Sequence, residues 1–172
     1  MQIETTFTEA VARKYPEQVV IVLAKERSSR VNPITIGWIM PTSHNPPMFA
    51  FSVAFTRYSF EVIRKAGEFV IAFPSEFQAK ETLLFGTSSG RDTDKLKESG
   101  IAVIPAKKVD CLLLQDAVAN FECRLAGEFT TGDHVIFTGE VIASHVNPDS
   151  PNRLYTVAKG YKMSGISIKN NS

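Results

Sequence analysis

Hydrophobic and polar positions change period several times along this chain, and each change marks an element. Residues 7–15, FTEAVARKY, predict a short helix that ends before Pro16. EQVVIVLAKE (17–26) is a continuous β-branched run of strand length, the pattern of a strand covered on both faces. After a turn rich in Ser and Arg, a second strand is expected over roughly residues 34–39 and a third over 48–54, with Pro46-Pro47 closing the loop between them. The period then becomes helical. Phe60, Ile63 and Ala66 predict a helix over 57–66, entered through Thr56 or Ser59 and stopped by Gly67. EFVIAFP (68–74) returns to strand, and Ser75-x-x-Gln78 is a capping-box signature for a helix running to about Phe85, with Gly86 after it. The loop GTSSGRDTD (86–94) leads to a short helix around 94–98 before Gly100.

The C-terminal half alternates instead. Phe121, Cys123 and Leu125 interleave with Glu122 and Arg124, with Cys123 expected to point into a core. Val135, Phe137, Val141 and Ala143 alternate with polar or small residues beyond a Thr-Gly-Asp turn at 131–133. These are two long antiparallel strands, and a further strand is expected near 154–157. At least six mostly antiparallel strands with two or three short helices give a mostly β fold. A small, Greek-key-like closed antiparallel barrel with helical insertions is expected, because a flat sheet of that many strands leaves edges to protect.

Composition narrows the function classes. At 172 residues and 44% apolar content, with no repeat or linker, one globular domain over 1–172 is expected. A net charge of +1 argues against nonspecific nucleic-acid or anionic-membrane binding. Apolar runs such as 19–24 are far shorter than the roughly 20 residues of a membrane span. The start MQIETTFTEA has no basic segment followed by an apolar one, so no secretory signal is expected and the cytoplasm is the default compartment. Cys111 and Cys123 fit no common zinc spacing, and His44, His134 and His145 are scattered singly. No Gly-x-Ser-x-Gly elbow and no Gly-x-Gly-x-x-Gly after the first strand occurs, which argues against a hydrolase and a Rossmann domain.

Residues 32–59, NPITIGWIMPTSHNPPMFAFSVAFTRYS, hold more small hydroxyls and amides than a sheet needs. A polar, planar, phosphate-bearing ligand would use them. Main-chain amides and small residues around Thr35, Gly37, Trp38, Ile39 and Met40 could line a slot for its ring, while residues 52–59, Ser52 and Val53 among them, would hold its phosphate end. Thr56, Arg57 and Ser59 meet a helix start, where free N–H groups and a guanidinium favour an anion. Each residue also has a plainer role: a lone Trp is as often core or interface, Thr56 or Ser59 is a cap in either case, and Arg57 or Lys95 alone is usually a solvated charge.

The ordered set Asn32-x-x-Thr35-x-x-Trp38, Pro41-x-Ser43, Pro46-Pro47, Ser52 and Thr56-Arg57-x-Ser59 resembles the flavin reductase-like family. The run Ser89-Gly90-Arg91-Asp92-x-Asp94-Lys95 resembles the second flavin-contacting loop of its flavoredoxin branch, and Leu154-Tyr155 and Gly160-Tyr161 resemble the close of the domain. The resemblance implies an FMN-binding split β-barrel, with Asn32, Ser89, Arg91 and Lys95 joining the site and Lys95 reaching the phosphate. It implies a homodimer with the flavin site near the subunit interface, and NADH or NADPH as possible reductant. Hydride transfer to flavin asks little of acid–base side chains, so no catalytic residue is expected. A flavoredoxin-like FMN electron carrier and a flavin-binding module without turnover are the alternatives.

Overall fold

The run after Pro16 does form a strand buried on both faces. In the computed structural model, which describes residues 1–149 and 151–166, the run is split at Val19 into β1 (Glu17–Gln18) and β2 (Val20–Lys25). Around β2 lie β3 (Val31–Ile36), β4 (Ile39–His44), β5 (Pro47–Ala54), β6 (Glu68–Phe73), β9 (Ala119–Thr131) and β10 (His134–Val146). They form one antiparallel sheet in the order β3-β2-β6-β9-β10-β5-β4. The alternation of β2 feeds two cores. Val20 and Val22 pack with Phe51, Phe69, Cys123 and Phe137, while Ile21 and Leu23 pack with Phe85, Leu113 and Leu114 on the opposite face. Each such buried side chain is worth about 1.5–3 kcal/mol.

The fold is the expected mostly β, antiparallel barrel, and the barrel is split: β3 and β4 end the hydrogen-bonded order and do not pair with each other. The single strand expected over 34–39 is the end of β3 and the start of β4, with a bend at Gly37 and Trp38 between them. Pro33 is tolerated inside β3 because an edge strand has one side free of ladder bonds.

The helices differ from expectation at their ends. α1 (Phe7–Val11) stops earlier than predicted and is capped by a reciprocal Thr6–Glu9 box. α2 (Tyr58–Ala66) takes Arg57, and neither Thr56 nor Ser59, as its N-cap, and ends at Gly67 with φ +69°. α3 (Ala79–Thr87), entered through a 3-10 turn at Glu76–Gln78, runs through Gly86. That glycine is a contact point and not a stop: a Cβ there would lie 3.3 Å from the Thr35 Cβ on β3. α4 (Lys95–Ser99) is capped by Asp94, which accepts from the Lys97 N–H, and ends at Gly100.

Three short pieces were not expected. β7 (Val103–Pro105) and β8 (Leu112–Leu114) form a ribbon, and β12 (Lys162–Gly165) pairs with β11 (Leu154–Ala158), which also pairs with β1. The loop between β7 and β8 covers the outer face of β9, so Glu122, on the face opposite Cys123, is fully buried as well. Its carboxylate accepts the N–H groups of Lys107, Lys108 and Val109 at 3.0, 2.5 and 2.9 Å and lies 2.6 Å from His145 Nε2. Burial alone would raise its pKa, but these donors outweigh burial and hold the carboxyl below its ordinary value.

Cys111 and Cys123 are buried free thiols, both pushed up to about 12 by burial. Among the described residues no group of three His, Cys, Asp or Glu could hold a metal ion, and no helix is long and apolar enough to cross a membrane.

Candidate functional site

Beside the split, a cavity of about 640 Å³ opens between β3 and β5 on one side and α3 with the 88–91 loop on the other. Thr35, Gly37, Trp38, Ser52, Val53, Thr56, Arg57, Ser59, Ser89, Arg91 and Lys95 all line it. Asn32, Ile39 and Met40 do not. Asn32 sits behind the wall, Ile39 turns into the barrel core, and the next residue, Met40, points outward and is exposed, as strand alternation requires.

The inner end is cationic. Lys95 is only 3% exposed, and its Nζ donates to the Phe85 carbonyl at 3.1 Å. No carboxylate of the described residues pairs with it, and burial, reinforced by the charges of Arg57 and Arg30, pushes its pKa down to about 8. Arg30 is already engaged: it grips Glu26 at 2.8 Å and donates to the Gly90 and Thr93 carbonyls at 2.5 and 3.3 Å. Arg91 donates to the Thr56 carbonyl at 3.4 Å, and its guanidinium lies 5.3 Å from the centre of the Tyr58 ring. Two loops distant in sequence are thereby laced together.

Asn32 belongs to that lacing. Its Nδ2 donates to Ser59 Oγ at 2.8 Å, while Gly90 packs against its Oδ1 so closely that a Cβ would come within 2.0 Å. Only glycine fits there, and Asn32 so acts on the cavity through Ser59 and Gly90. Thr35 is also partly occupied, donating to the Thr82 carbonyl at 2.5 Å and docking α3 onto β3.

The outer end is aromatic. Trp38 is 50% exposed, its ring centre 5.0 Å from that of His134, and Lys14 Nζ stands 5.8 Å from its ring. Lys14 pairs with Glu17 at 2.6 Å, and the Glu17 carboxylate rests against Gly37, where a Cβ would lie 3.3 Å away. His134 Nδ1 is 2.6 Å from Asp133, whose carboxyl that contact holds below its ordinary value. The sequence reading missed His134, Lys14, Glu17, Tyr58, and the hairpin residues Thr156, Tyr161 and Met163, which all line the cavity. His134 arrives because it pairs with Ala54 at the end of β5, a register that no local motif announces.

A model of the flavin reductase like domain matches residues 12–164, a span that includes every residue lining the cavity. The chain belongs to the flavin reductase-like family. An uncharacterized protein of Archaeoglobus fulgidus is 30% identical over 128 residues, covering 74% of this chain and 71% of that one. A flavin reductase of Pseudomonas putida is 27% identical, covering 89% and 86%. In structure the chain is similar to an FMN-binding protein of Thermus thermophilus with bound p-hydroxybenzaldehyde, at TM-score 0.88 and 22% identity over 100% of this chain and 99% of that one. It is also similar to a flavoredoxin of Methanosarcina acetivorans, at TM-score 0.85 and 21% identity over 100% and 95%. These likenesses reinforce the split-barrel fold of this flavin reductase-like chain.

Proposed function

We propose that this cavity binds FMN and that the chain is an oxidoreductase, accepting hydride from NADH or NADPH through the flavin and passing electrons to free flavin, ferric iron or a protein. The observation that carries the reading is Lys95: a buried ammonium on a cavity wall, one hydrogen bond to its name, two guanidinium groups nearby and no carboxylate among the described residues. Buried cations without a counter-charge are costly, and a phosphate supplies the missing charge. The cavity's size falls within the roughly 300–1,000 Å³ of ordinary ligand sites.

In this reading Lys95 and Arg57, with Arg91, Thr56, Ser59 and Ser89, hold the phosphate. Thr35, Gly37, Ser52 and Val53 face the ring, and Trp38 with His134 borders the mouth where a reductant docks. FMN supplies the hydride chemistry; the side chains bind, orient and exclude water. Ile39 and Met40, placed off the cavity, are assigned no contact. A homodimer fits the exposed Met40 on the edge strand β4 and Phe129 near the β9–β10 turn, 56% and 69% exposed; sedimentation equilibrium tests it.

The visible spectrum of the purified protein, with and without added FMN, tests the binding. A chain that neither carries nor takes up FMN sinks the proposal. Anaerobic mixing with NADH and NADPH then decides turnover: bleaching by either supports a reductase, and bleaching by neither replaces it with the flavoredoxin-like carrier or the binding module.

A further inference from the structure

The bend that carries Trp38 lies at the split in the barrel, where no strand holds it from the open side. Trp38 O accepts the Ser52 N–H at 2.9 Å across the β4–β5 ladder. Carbonyl directions alternate along a strand, so the next carbonyl, of Ile39, faces the split. One side chain meets it. Gln18 Nε2, from β1, donates to Ile39 O. Gln18 Oε1 in turn accepts from Arg153 Nη2 at 3.4 Å, and the half-buried Arg153 guanidinium lies 3.8 Å over the Phe73 ring. A cation stacked this closely on an aromatic face, away from water, is held firmly.

We infer that Gln18 is a positioning residue: it bridges the split, fixes the bend at 37–39 and so sets the Trp38 indole at the cavity mouth, with Arg153 orienting the Gln18 amide. Glu17, the preceding residue, supports the same bend from the cavity side by resting against Gly37. Two neighbouring residues of a two-residue strand thus do by side chain what a further ladder would have done by backbone. The claim that this orientation serves flavin chemistry rests on the function proposed above; the claim that Gln18 holds Trp38 does not.

Trp38 is the only tryptophan, so its signals report on the bend directly. In flavin-free protein, Gln18→Leu is expected to lose the near-UV circular dichroism of the indole and lower its fluorescence anisotropy. Acrylamide quenching rises at most about twofold, since Trp38 is already 50% exposed. Gln18→Glu keeps the size and the acceptor for Arg153 but sets a carboxylate against the Ile39 carbonyl, and gives the same signature. Arg153→Lys, which keeps the charge over Phe73 without the planar fork, moves the same signals less.

With FMN added, both Gln18 variants keep the affinity within about threefold, because the cationic end is untouched, while the fraction of Trp38 emission quenched by flavin falls. Far-UV spectra like those of the parent protein certify that the variants are folded. Trp38 signals unchanged in both folded Gln18 variants overturn the inference. A parent protein that fails to bind FMN overturns the proposed function instead, and the flavin-free measurements still decide the role of Gln18.

Discussion

The two ends of the cavity are built in opposite ways. At the inner end, cations come from two short loops, and hydrogen bonds from Arg30, Arg91 and Asn32 lace those loops together around the buried Lys95. At the outer end, Trp38, His134 and Lys14 come from three separate segments, and the open side of the bend that carries Trp38 is held by a side chain, that of Gln18. Charge recognition requires specific residue types close to one another, so it leaves a mark in local sequence. A stacking surface requires only that some aromatic or imidazole ring be delivered to the right place, which topology does without a motif.

The largest effect that tests this contrast is expected from Lys95→Met. Loss of a charge-assisted contact worth about 1.5–3 kcal/mol weakens FMN binding about 10- to 100-fold. The same change stabilises the flavin-free protein at neutral pH, because an unpaired buried charge is gone. Paired flavin titration and urea unfolding check both signs. An unchanged affinity moves the phosphate elsewhere.

The next effect is on pH. The folded Lys95 pKa of about 8 lies below the ordinary value of 10.5. Between those values the unfolded chain binds more protons, so the Lys95 contribution to stability improves as pH rises. The excess stability of Lys95→Met is therefore full below pH 8 and closes by about 10.5. Comparing the two proteins isolates this effect from Cys111 and Cys123, whose raised thiol pKa values pull stability the other way in alkali. FMN affinity falls above pH 8 by up to about tenfold per unit, and a flat profile there would break the assignment.

Arg57→Ala should cost less, about three- to tenfold in FMN affinity, because its exposed guanidinium is screened by water. Smallest is Trp38→Phe, expected to change affinity by less than about threefold while altering the rate of reduction by NADH or NADPH. If Trp38→Phe weakens FMN binding more than Lys95→Met, the division of labour between the two ends is reversed.

Much of the frame was legible. The unbroken apolar run of β2 marked a strand buried on both faces, and Gly67 and Gly100 stopped their helices at left-handed φ, where a side chain is strained. The basic loops marked the cationic end, since Arg57, Arg91 and Lys95 all line the cavity. Gly86 misled because a glycine required for close packing looks in sequence like one that ends a helix. Alternation tells which residues share a face, not what lies over that face, and so left the burial of Glu122 undetermined. Asn32 was placed at the site by resemblance, yet its side chain lies behind the cavity wall, against Ser59 and Gly90.

By itself, then, the sequence determined the strands, the helix stops and the identities of the cations, all of which depend on neighbours a few residues away. Only the tertiary structure decided where the barrel splits, which carbonyl Gln18 meets, and that His134 and the C-terminal hairpin close on the same cavity as Trp38. Those features depend on strand register and on contacts between segments far apart in sequence, such as Arg153 and Gln18, 135 residues from each other. Local propensity carries no record of such distances, because they are set by how whole sheets pack.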